Sequence, residues 1–170
     1  MPTNFWMFFV TALIPLIIGS IYYNPKVLGT AWMNINGFKE EDLRGGNMAV
    51  IFGLSFILGV LLSFILSGMV IHQSNVLQMM MPEIAESGSA AQQQFNDLMA
   101  QYGTSHRSFG HGALHGGAVA VFLILPILAI NSMFERRGWK YTLIHFGYWF
   151  ICLLLMGGVL CQFLDYSPLS

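Results

Sequence analysis

Charge is what this chain has least of. Asp, Glu, Lys and Arg together make up 9% of its 170 residues, against about 25% in an average soluble domain. A water-soluble globule is therefore excluded as the first reading. The formal net charge of −1 gives no electrostatic reason to expect a nucleic-acid partner. Cysteine is scarce too. Cys152 and Cys161 stand nine residues apart on one apolar stretch, about 13 Å of helical rise, which is too far for a bridge. A disulfide framework is excluded, and both read as buried apolar side chains. No basic segment or small-residue cleavage site accompanies the apolar N-terminal stretch, which reads as a retained first span. No nucleophile–base pair, phosphate-cradling glycine loop or dinucleotide fingerprint is visible, so nothing marks an enzyme. The apolar runs carry no Asp, Glu, Lys or Arg in their middles, which counts against ion-coupled transport and proton pumping. A pore for a neutral solute stays open.

What the chain has is apolar length, with 55% of its residues hydrophobic. Four spans are expected, at about residues 5–23, 47–71, 109–134 and 141–164, in one all-α polytopic membrane domain covering residues 1–170. Phe109 to Phe134 shows the arithmetic: its 26 residues give roughly 39 Å of helix, more than a hydrocarbon core of about 30 Å. Asn24-Pro25 ends span one. The first loop should hold a short interfacial helix anchored by Trp32 and a second helical piece stopped by Gly45-Gly46. The loop over residues 73–107 holds Phe95, Leu98, Met99 and Tyr102 at i, i+3, i+4 and i+7, with Gly103 behind them. That is an amphipathic helix with a glycine stop. Its stripe must be covered by the bundle, by lipid or by another protein, and the absence of Lys and Arg there favours protein.

The basic residues set an orientation. Lys26, Lys39 and Arg44 lie in the first loop and Arg136, Arg137 and Lys140 in the third, while the second loop has only Arg107. Loops one and three are thus expected in the cytoplasm, with both termini and residues 73–107 outward. Phe52-Gly53, Phe56-Ile57 and Leu61 recur in span four as Phe146-Gly147, Phe150-Ile151 and Leu155, which suggests a parallel two-helix repeat.

A resemblance reaches across most of the chain. It is carried by Tyr22-Tyr23-Asn24-Pro25, Leu28-Gly29-Thr30-Ala31-Trp32-Met33, Glu40-Glu41-Asp42-Leu43 and Gly46-Asn47-Met48-Ala49. It continues through Ile130 to Arg137 and Tyr148 to Gly158, and is weakest over residues 73–107. In these stretches the chain resembles the bacterial "domain of unknown function 1761" proteins. The resemblance implies a four-span bacterial membrane protein and brings no activity, so no catalytic residue is carried over.

The residue types with chemistry collect at one end. The expected topology brings His72, His106, His111 and His115 to the outward side, with Asp165 in the same layer. His111 and His115 are four apart and share a helix face. With His72 they can hold Zn or Cu, His106 and Asp165 being possible additions. Met69 and Met79 to Met81 would favour Cu(I) if they took part. The plainer reading is a set of interfacial histidines bonded to loop carbonyls and water. His145 reads as a satisfied interfacial histidine, and Asn131 as a bond to a neighbouring helix. Ser55, Gly59 and Ser63, and Gly112 with Gly116, form small-residue stripes for close helix packing, inside the bundle or between copies. The first functional expectation is a non-enzymatic inner-membrane accessory subunit, in a homo-oligomer or envelope complex, contacting partners through Phe95, Leu98, Met99 and Tyr102. The alternative is a metal-binding or small-solute transport protein that uses the histidine layer.

Overall fold

A computed structural model describes residues 3–86 and 88–165, apart from the Arg44 side chain. The C-terminal residues expected outward, Ser170 among them, lie outside the described residues. Every regular element among the described residues is helical. The helices are α1 (Trp6–Tyr22), α2 (Thr30–Asn36), α3 (Met48–Val70), α4 (His72–Met80), α5 (Ala90–Tyr102), α6 (Phe109–Val119), α7 (Leu125–Phe134) and α8 (Trp139–Phe163). Three stretches are long and apolar enough to cross a membrane: Met48–Val70, Phe109–Phe134 and Trp139–Phe163. A fourth is available if Trp6–Tyr22 and Pro25–Asn36, bent by 56°, count as one.

The bend after α1 and the π-helical turn in the third span have local causes. Asn24 is extended and its side chain accepts from the Lys26 N–H at 2.9 Å, with Pro25 at the first helical position. The turn Pro25–Gly29 is π-helical, closed by Gly29 N–H to Asn24 O at 2.9 Å. A Cβ on Gly29 would fall 2.2 Å from the Tyr23 carbonyl oxygen, so only glycine fits. In the third span, Pro126 supplies no N–H and its ring presses on the preceding turn. The π-helical turn Ala120–Ile124 separates α6 from α7 there and absorbs that mismatch.

Close helix contact needs the small residues. A Cβ on Gly112 would sit 2.2 Å from Gly157 O, and one on Gly116 would sit 2.1 Å from Leu153 O. Helices α6 and α8 therefore touch backbone to backbone. Gly59 meets Ala12 on α1, where an added Cβ would stand 3.0 Å from the Ala12 carbonyl oxygen. Ser63 is buried and donates back to Gly59 O at 2.8 Å, whereas Ser55 is only half-buried. The core lies where α1, α3, α6 and α8 meet, around Phe8, Leu66, Cys152, Leu153, Met156 and Leu160. Outward from it, α3 exposes Leu54, Leu58, Leu61 and Ile65 along one face.

Span two ends at Val70, close to the expected boundary; Ile71 is extended (φ −117°, ψ 109°) and His72 opens a further helix, α4. The short helix expected in the first loop is α2, and its half-buried Trp32 packs against Tyr23 and Phe38, with ring centroids 5.4 and 5.5 Å away. Two expectations are corrected. The apolar stripe of α5 is filled from within. Phe95 and Met99 are buried with Ile84 and packed by Val76, Leu77, Met80 and Leu98, so neither faces a partner, and only Tyr102 stays exposed. Asn131 points out of the bundle. The cross-helix bond is made one residue on, where buried Thr142 donates to Ser132 at 2.8 Å.

Candidate metal centre

The break at Ile71 builds the site. It places His72 on the first turn of α4, beside the first two turns of α6, which carry His111 and His115. Ser108 fixes the start of α6 by accepting from His111 N–H at 3.3 Å, an N-cap that satisfies an otherwise free donor. His111 and His115 then stack on one face, with ring centroids 4.6 Å apart. His72 faces both, at 5.1 Å from each ring.

Among the described residues, one ring nitrogen from each of His72, His111 and His115 lies within 4.8 Å of the others. The closest pair is His72 Nε2 and His111 Nε2, at 3.0 Å. Two imidazole lone pairs approach this closely only around a shared proton or a shared cation. Around tetrahedral Zn(II) with Zn–N of about 2.0–2.1 Å, neighbouring nitrogens stand about 3.3 Å apart. The observed pair is a few tenths of an ångström short of that spacing. His72 is exposed and the other two are half-buried, so an ion has access. A cavity of about 540 Å³ adjoins the group, lined by His72, His106 and Met99 among others.

The remaining candidates separate. His106 is in ring contact with His111 (5.0 Å) and His72 (5.9 Å), outside the tight trio. Asp165 is turned to the N-terminal segment. Its carboxylate accepts from Thr3 Oγ1 at 3.3 Å, its N–H donates to Asn4 Oδ1 at 2.8 Å, and it is not part of the histidine group. The methionines do not join either. Met69 and Met81 line a separate apolar cavity of about 590 Å³ with Phe8 and Phe64, Met79 is exposed, and Met80 packs beside Phe95. The soft thioethers that would favour Cu(I) are thus elsewhere, and an all-imidazole set suits Zn(II) or Cu(II). At the other end of α8, His145 Nδ1 lies 3.4 Å from the Tyr23 hydroxyl, while its buried Nε2 has no hydrogen-bond partner among the described residues.

Sequence reasoning passed over Gln73. It is buried, and its amide N–H₂ donates to Tyr102 O at 2.8 Å and Ser105 O at 2.9 Å, tying the turn before α6 to α4. A glutamine following a histidine at a helix start carries no pattern that would have disclosed this.

The fold and site define an all-helical protein with three or four helices apolar enough to span a membrane and a histidine cluster at one end of the bundle. The family described as "Protein of unknown function (DUF1761)" matches over residues 6–161, and the chain belongs to it. No curated protein and no solved structure matches the chain.

Proposed function

We propose that this chain is a four-span protein of the bacterial inner membrane that binds one Zn(II), without enzymatic activity, at the outward end of its bundle. The observation that carries the reading is that His72, His111 and His115, from two helices, each bring a ring nitrogen within 4.8 Å of the others. Membrane insertion is supported by the exposed apolar face of α3, which would be a liability in water. The outward placement of the histidines follows from the basic residues of loops one and three.

One term opposes the ion. His72 and His111 sit at helix starts, where the positive end of the helix dipole disfavours a cation by about 0.3–1 kcal/mol each. Structural zinc sites gain on the order of 10–16 kcal/mol. The ligands therefore win by a wide margin. Solute passage between α6 and α8 finds no support, because their backbones touch at Gly112 and Gly116. An accessory role would need a surface other than Phe95 and Met99, which the chain itself covers.

Equilibrium dialysis of the detergent-solubilised protein against Zn(II) tests the reading. Wild type should saturate at one ion per chain, and His111→Ala should lose that binding. Equal binding by the two proteins would overturn it.

A further inference from the structure

We propose that His106 is the fourth ligand, so that four imidazoles from α4, the turn before α6, and α6 itself enclose the ion. The inference rests on the zinc-binding reading and deepens it. Three features of the turn over residues 103–108 support it.

The first is position. The His106 ring already touches His111 and His72, 5.0 and 5.9 Å between centroids, and borders the same cavity as His72.

The second is the backbone. His106 has φ +59°, in the left-handed region that few residues with a Cβ adopt. Gly103 and Gly110 stand a few residues away, yet the position that needs glycine's freedom holds an imidazole. Such strain persists where the surroundings impose it, and it collects at ligand sites.

The third is the fastening. Gln73 holds the Tyr102 and Ser105 carbonyls from the α4 side. From the α8 side, Cys161 Sγ–H donates to His106 O at 3.3 Å. Arg107 Nε donates to Cys161 O at 2.6 Å and its Nη2 to Leu164 O. A buried amide, a thiol and a guanidinium thus fix the residues on either side of His106 and leave its ring to face the trio.

Four nitrogens complete a tetrahedral shell and leave no position for water or substrate, as in structural zinc sites. The bound ion then acts as a staple between the outward segment, through His72, and the spanning bundle, through His111 and His115. This matches a protein that binds metal without using it for chemistry.

Co(II) is the probe, because its visible absorption reports coordination number and ligand type. His106→Gly removes the imidazole and eases the backbone, and His106→Asn keeps a polar residue that tolerates the left-handed region. Both variants should still take up one Co(II) per chain, with lower affinity than wild type. Their spectra should shift and respond to added imidazole, which fills the vacated position, whereas wild type should not respond. If wild type binds Co(II) and both variants match its affinity and spectrum, the fourth-ligand inference is overturned and the three-histidine site stands. If wild type takes up neither Co(II) nor Zn(II), the zinc-binding reading itself is overturned.

Discussion

Substituting Gly116 by alanine tests how the packing supports the site. The new Cβ would fall 2.1 Å from Leu153 O and 2.8 Å from Leu153 C, where ordinary contact is about 3.5 Å or more. Both obstacles are backbone, so no side chain can swing away, and α6 must retreat from α8 by roughly 1 Å or more. Overpacking of this kind costs about 1–3 kcal/mol, offset in part by the gain of about 1 kcal/mol when alanine replaces helical glycine. Gly110 on the same helix is the control, since an added Cβ there meets nothing within 4 Å. Gly110→Ala should leave stability unchanged or raise it, and Gly116→Ala should lower it, as thermal melting in mild detergent will show. The same shift changes the distance from His115 to His72, and metal affinity depends on ligand geometry, so Zn(II) affinity should change for Gly116→Ala and hold for Gly110→Ala. Equal melting temperatures and equal zinc affinities for the two variants would refute the reasoning.

Other outcomes follow from single contacts. Gln73→Leu removes the bonds to Tyr102 O and Ser105 O; it should destabilise by about 1–3 kcal/mol and speed hydrogen exchange in the turn before α6. Tyr148→Phe deletes the bond from the Tyr148 hydroxyl to Pro15 O at 2.9 Å and should cost about 0.5–1.5 kcal/mol by melting. Phe95→Ala empties the small core beside Ile84 and Met99, so exchange should rise across α4 and α5 while α8 stays protected, at a cost of about 3–5 kcal/mol locally. In a cysteine-free background, Ser89→Cys should react with an impermeant thiol reagent in intact cells and Lys140→Cys should not; the reverse pattern would invert the orientation.

The long apolar stretches were legible because their signal is an absence: uncharged runs set the ends of α3, α6–α7 and α8 to within about two residues. The pair His111 and His115 was legible from helical spacing alone. Their grouping with His72 was read from topology, which put all three at one end of the bundle; the close approach of the rings needed three dimensions. It depends on the extended Ile71, which lies between Val70 and His72 with no proline or glycine beside it to announce a break. Filling the α5 stripe depends on α4, a helix opening with His-Gln-Ser-Asn that hydropathy reads as loop. Asp165 seemed to belong to the histidine layer because depth in the membrane was all that sequence supplied. Its hydrogen bonds to Thr3 and Asn4 reflect the lateral position of α1, which depth does not encode. Gln73 and the left-handed His106 were invisible for the same reason: their roles lie in partners about 30 and 55 positions along the chain.

The central claim is that His72, His111 and His115 form a metal centre in the native protein. The direct measurement is the metal-to-chain ratio of protein gently solubilised from its own membrane and purified without chelator. Close to one zinc per chain is expected in wild type, with loss of that zinc in His111→Ala while the helical fold is retained. Wild-type protein that emerges folded and free of metal would contradict it.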